Sequence, residues 1–130
     1  MSVALKIVDQ TLGIRPPITR ELRLASERIT LREVLKRRID EEVAALNAGG
    51  GEEIKPLVAP TEQESRLSGE KPTRRMVDPG RQLAAAVEAF ERRRIVIIVD
   101  SRQVLDLDQA IVITPDMEVR FLKLVPLVGG

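Results

Sequence analysis

"ITRELRLASERITLREVLKRRIDEEVAALN", residues 18–47, changes its hydrophobic period partway along, and that change sets the fold class. In the first part Leu22 and Leu24 fall on one side of the chain and Arg23 on the other, the alternation of a strand with one buried face. From Thr30 onward the period is helical, with Val34, Leu35, Ile39, Val43 and Leu46 recurring up to Asn47. "TLRE", residues 30–33, marks the switch as a capping box: the Thr30 hydroxyl accepts from an orphan amide and Glu33 reaches back. Ile29, just before the cap, is placed to staple onto Val34. Gly49, Gly50 and Gly51 end the helix, because a residue without Cβ takes the left-handed backbone that follows a last turn. A helix of about four turns with one apolar stripe must lie on a sheet.

Upstream, Val3, Leu5 and Ile7 alternate with Ala4, Lys6 and Val8, a first strand. "GIRPP", residues 13–17, interrupts the ladder with two prolines, so the first two strands form a hairpin. Residues 48–80 carry Pro56, Pro60, Pro72, Pro79 and five glycines, with only "IKPLV", residues 54–58, resembling a short strand. A stretch this long without periodicity reads as a flexible insertion. In "VDPGRQLAAAVEAFERRR", residues 77–94, Asp78 is a cap and Pro79 takes the first helical position; Leu83, Val87 and Phe90 mark a second amphipathic helix. "RIVIIVD", residues 94–100, is β-branched throughout, the pattern of a strand buried on both faces. "SRQ", residues 101–103, supplies a polar turn and Val104-Leu105 a short returning strand. A further turn falls at Pro115-Asp116. The last strand lies in "MEVRFLKLV", with Val119, Phe121 and Lys123 facing one way and Arg120, Leu122 and Leu124 the other. The class is α+β.

Composition removes several kinds of function. Lys plus Arg number 21 and Asp plus Glu 20, a net charge of +1, without the basic excess of a nucleic-acid binder. Lys36-Arg37-Arg38 and Arg92-Arg93-Arg94 read as solvated helix faces. There is no cysteine or histidine, so thiol nucleophiles, disulfides, the usual zinc ligands and the commonest general base are missing. Glu41-Glu42 and Glu52-Glu53 are adjacent and do not face each other as a catalytic carboxylate pair would. Two phenylalanines are too few for base-stacking platforms. Ile95 to Val99 is too short to span a bilayer, and Lys6 and Asp9 interrupt any signal-peptide core. The expectation is a cytoplasmic, non-enzymatic protein with no metal and no bound cofactor, engaging neither nucleic acid nor membrane.

The remaining signal is C-terminal. "VDSRQVLDLDQAIVITPDMEVRFLKLVPLVGG", residues 99–130, resembles the end of the small sulfur carriers of molybdopterin and thiamine synthesis, and that of ubiquitin. The shared pattern is a short hairpin, a tight acidic turn, "EV" entering the last strand, and an apolar tail closing in two glycines. The matching positions are Asp116, Glu118, Val119, Phe121, Pro126, Val128, Gly129 and Gly130. The likeness is close over roughly 30 residues and extends by element order over about 75 more. It implies a single β-grasp domain over residues 1–130: a hairpin, a helix crossing the sheet, and a last strand beside the first. The chain departs from the pattern in its 48–80 insertion, its extra helix, and a last strand and tail about two residues longer. Two terminal glycines arise by chance in roughly one chain in 200 at average composition.

The resemblance implies that residues 124–130 project as a tail, and that an activating enzyme uses ATP and magnesium to adenylate the Gly130 carboxylate. Gly129 and Gly130 give the thinnest and most freely bending chain for a narrow channel. Val125, Leu127 and Val128 offer apolar docking area to that enzyme, and Pro126 stiffens the approach. The implied function is a ubiquitin-like modifier joined to target proteins, with conjugating and deconjugating enzymes as further partners. Lys6, Lys36, Lys55, Lys71 and Lys123 are acceptors for chains only if they are more than solubilising charges. The alternatives are a sulfur carrier, in which the same adenylate becomes a thiocarboxylate, and an interaction adaptor that uses no terminal chemistry.

Overall fold

The computed structural model describes residues 2–13, 16–49, 57–58 and 76–124. Nine elements follow one another among them: β1 (Val3–Thr11), β2 (Ile18–Leu24), β3 (Arg28–Thr30), α1 (Leu31–Asn47), α2 (Pro79–Glu91), β4 (Ile95–Val99), β5 (Arg102–Val104), β6 (Ala110–Val112) and β7 (Glu118–Lys123). Five strands make a mixed sheet in the order β2-β1-β7-β4-β5. β1 and β2 pair antiparallel with Leu5 opposite Leu22, as the alternation predicts. β7 lies parallel to β1 and antiparallel to β4, so the last strand occupies the centre.

Both helices pack on one face of this sheet. Leu5, Ile7, Leu22, Leu24, Val119, Phe121, Ile95 and Ile97 supply that face, and Leu31, Val34, Leu35, Ile39, Val43, Ala86 and Ala89 cover it. This arrangement corrects the expectation for residues 95–99. Ile95 and Ile97 are buried, but Val96 and Ile98 are only half-buried, because no described element covers the opposite face. Ile97 has no exposed surface and sits between Phe121 and Val104 in register. Ile97→Ala should therefore cost about 2–5 kcal/mol, read as the shift in urea midpoint at constant slope.

The α1 cap forms as predicted. Thr30 Oγ1 accepts from the Glu33 amide at 3.2 Å, and the Glu33 carboxylate accepts from the Thr30 amide at 3.4 Å. The next two orphan donors, the amides of Leu31 and Arg32, are taken by the carbonyls of Gln109 and Leu107. That docking also aligns β3 with β6, a three-residue ladder pairing Ile29 with Ile111, which the sequence reading did not anticipate. At the far end Gly49, at φ 81°, donates to the Leu46 carbonyl, the left-handed stop expected of a glycine there.

Two further boundaries move, and the buried face of α2 differs. The β4–β5 hairpin turns on Asp100 and Ser101, at φ 46° and 71°, rather than on residues 101–103. Two consecutive left-handed residues make the tight turn whose twist matches the strands, and Asp and Ser tolerate it. Leu105, expected in the returning strand, lies beyond it and is exposed. In α2, Asp78 accepts from the Arg81 amide and Pro79 opens the helix as predicted. The fully buried residues of α2, however, are Gln82, Ala86 and Ala89; Leu83, Val87 and Phe90 are half-buried. Small side chains let α2 approach α1 closely, and the larger residues wedge in at the flanks.

Of the expected insertion, residues 50–56 and 59–75 lie outside the described residues, with Lys55 and Lys71 among them. Leu57 and Val58 form a bend rather than a strand, and Leu57 is buried in the core. The Asn47 side chain donates to the Val77 carbonyl and accepts from its amide, so the chain returns to the point from which it left. Among the described residues no helix is long and apolar enough to cross a membrane.

Candidate functional site

The segment that carries the expected chemistry, Val125, Pro126, Leu127, Val128, Gly129 and Gly130, lies outside the described residues; its root does not. β7 is held on both sides to its last residue. The Lys123 carbonyl accepts from the Leu12 amide at 3.0 Å, and the Leu124 amide donates to the Arg94 carbonyl at 2.9 Å. At the strand's start, the Glu118 amide donates to the Asp100 carboxylate and the Glu118 carbonyl accepts from the Asp100 amide, both at 3.1 Å. A strand secured at both ends and flanked by two partners is a rigid base for whatever follows it.

Beneath the middle of β7 lies a charge cluster that the sequence reading missed. Arg38 was expected on a solvated face with Lys36 and Arg37; those two are not buried, but Arg38 retains only 2 % of its surface. Its guanidinium donates to Asp9 at 2.9 Å and to Glu42 at 2.7 Å, and it sits 5.3 Å from the centre of the Phe121 ring. Asp9, opposite Phe121 in register, also accepts from Arg20 at 2.8 Å. Glu42 is fully buried, and one of its oxygens also accepts from the Leu57 amide at 2.8 Å. Two positive and two negative groups thus balance. Burial pulls the Arg38 pKa down, but attraction and hydrogen bonding from Asp9 and then Glu42 outweigh it, leaving the group above the usual arginine value.

The signal for this cluster was present in the sequence. Arg38 and Glu42 are one turn apart and follow Leu35 and Ile39 by three residues each, which puts opposite charges on the apolar stripe. Asp9 takes the next inward position of the alternation set by Leu5 and Ile7.

Around the root, Arg92, Arg93 and Arg94 are exposed, with Arg92 paired to Glu88 at 2.9 Å. Arg93 adopts φ 60°, the left-handed stop of α2: its amide donates to the Phe90 carbonyl while the Arg94 amide donates to Ala89. Beside it a groove of about 260 Å³ opens between the end of α2 and strands β4 and β5, lined by the apolar Phe90, Ile95, Val96, Val104 and Leu105 and by the polar Glu91, Arg93 and Gln103. Of the remaining predicted positions, Asp116 lies in the turn before β7, Lys6 is 3.6 Å from Glu118, and Lys36 is 2.9 Å from Asp40. Among the described residues no three acidic side chains cluster as metal ligands would. Comparison with family models, with curated proteins and with solved structures returns no match for this chain.

Proposed function

We propose that the chain is a β-grasp, ubiquitin-like protein modifier whose Gly130 carboxylate is activated and then joined to an amine of a target protein. One observation carries the reading: the last strand runs parallel to the first at the sheet centre, secured through Leu124, and the segment that follows at once is "VPLVGG". The β-grasp assignment draws on the same order, an N-terminal hairpin followed by a helix packed against the sheet that β7 completes. In this reading the folded body serves as a handle, and the reactive group lies beyond Leu124.

The chemistry needs an activating enzyme, ATP and magnesium. The carboxylate attacks the α-phosphate and pyrophosphate leaves, giving an acyl adenylate. A lysine amine of the target then attacks the carbonyl, directly or through a conjugating enzyme, and AMP leaves as the amide forms. A deconjugating hydrolase would reverse the product. Mass spectrometry of the protein and of the trypsin-digested proteome from its native cells tests this; because Lys123 is the last tryptic site, the expected result is the remnant "LVPLVGG", residues 124–130, on lysines of other proteins. Exchange of one oxygen for sulfur at the terminus, without remnants, would make the chain a sulfur carrier instead. Neither mark, in a protein whose native form retains Gly130, would leave an adaptor and overturn the proposal.

A further inference from the structure

β4 runs past the end of β5 at Ile95 and Val96, which leaves part of its edge open. The direction of its backbone bonds is fixed at both ends: the Asp100 amide donates to the Glu118 carbonyl, and the Arg94 carbonyl accepts from the Leu124 amide. Residues 94, 96, 98 and 100 therefore direct their backbone groups at β7, and 95, 97 and 99 at the side of β5. Val99 and Ile97 meet Arg102 and Val104 there, but the place opposite Ile95 would fall to Asp106, beyond the end of β5. The chain has left the sheet by then, because Leu107 is buried in the core and its carbonyl accepts from the Arg32 amide. Among the described residues the Ile95 amide and carbonyl thus have no hydrogen-bond partner, although Ile95 keeps only 3 % of its surface. Unpaired backbone groups in so buried a residue cost free energy that a partner recovers.

We propose that the groove takes an extended segment of a partner protein, which continues the line of β5, pairs with Ile95, and carries one apolar side chain followed by acidic residues. A residue opposite Ile95 in a narrow pair exchanges two backbone bonds with it, the addition of a strand to an open edge. Its side chain falls on the core-facing side of the sheet, where Ile95, Val104 and Phe90 lie, and so has to be apolar. The groove's 260 Å³ exceeds the roughly 150 Å³ that takes a benzene-sized group, so a branched or aromatic side chain fits. Gln103, exposed on the lining, adds an amide that can donate to and accept from the incoming backbone. Running antiparallel to β4, as β5 does, the segment turns its C-terminal side toward Arg94 and Arg93. Both arginines are exposed and neither is in an ion pair among the described residues; the lining sets one carboxylate, Glu91, against them. That surplus of positive charge selects acidic residues at the trailing end of the segment.

The test uses the full isotope-labelled chain and four capped peptides, Thr-Thr-X-Asp-Asp, with X valine, isoleucine, leucine or phenylalanine. At least one should bind saturably at or below about 1 mM. It should slow exchange of the Ile95 amide at least about tenfold and leave that of Ile97, already paired with Val104, unchanged. Methylating the amide nitrogen of X removes the donor to the Ile95 carbonyl and should weaken binding at least about tenfold. Lysines in place of both aspartates should weaken it severalfold at low salt. Leu105→Asp should do the same to the acidic peptides; Leu105 is 70 % exposed, so the fold tolerates the change. The dock is overturned if none of the four peptides binds, or if the methylated or lysine peptide binds as well as its parent. It is equally overturned if Leu105→Asp has no effect, or if the Ile95 amide of the free chain already exchanges as slowly as that of Ile97. None of these readouts involves Gly130, ATP or an activating enzyme, so the dock and the modifier reading stand or fall separately.

Discussion

Arg38→Met is expected to destabilise the protein by about 3–5 kcal/mol, because it removes one partner from a buried ion pair and leaves the other behind. Glu42, with no exposed surface, would keep only the Leu57 amide, and its second oxygen already lacks a hydrogen-bond partner. Asp9 would keep Arg20 alone, and Phe121 would lose the cation over its ring. Removing both charges together should be far milder. Arg38→Met with Glu42→Leu fills similar volume without an orphaned charge and should recover most of the loss, since paired burial of ions offers little over apolar packing. Urea denaturation of the four members of the cycle measures this, and the coupling between the sites should exceed about 1 kcal/mol. A loss below about 1 kcal/mol for Arg38→Met alone would mean that the cluster is open to water and that Leu57 does not close it.

The cluster ties together parts that are distant in sequence. Asp9 comes from β1, Arg20 from β2, Arg38 and Glu42 from α1, and Leu57 from the stretch after α1, all around Phe121 of β7. Loosening it should therefore disturb both the seating of Leu57 and the base of the tail. Such a polar knot inside an apolar core fits only one arrangement of its partners, and we regard it as fixing the register of the hairpin beneath α1.

The hairpin, both helices and the last strand were legible in the sequence because each has a period long enough to repeat. Val34, Leu35, Ile39 and Val43 trace nearly three turns, and Leu22 with Leu24 frames Arg23. The β3–β6 ladder was not legible, since three residues a side carry no period and its alignment comes from Gln109 and Leu107 accepting the first amides of α1. Residues 95–99 misled because a run of β-branched side chains looks the same whether one face or two are covered; only the placement of both helices on a single face decides it. Charge misled in the opposite direction: Arg38 was grouped with its neighbours in sequence, whereas the helix groups it with Leu35 and Glu42. The groove could not have been read at all, since Phe90 and Leu105 meet only through the tertiary fold.

Deleting Gly129 and Gly130 should abolish every covalent product of the protein while leaving its unfolding free energy within about 0.5 kcal/mol of the parent. The two expectations have separate causes. Truncation leaves Val128 at the end, a β-branched residue too wide and too stiff for a channel that two residues without Cβ would thread. Adenylate formation should therefore fall below detection even with the activating enzyme and ATP in excess. Stability should not follow, because the strand is secured upstream, by Leu12 and Arg94 at its end and by Asp100 at its start. A loss above about 2 kcal/mol would place the glycines themselves in the packed structure, and the segment could not then be a free reactive end. Undiminished activity after the deletion would be more damaging, because it would remove the terminal carboxylate from the function altogether and leave the sheet surface to carry it.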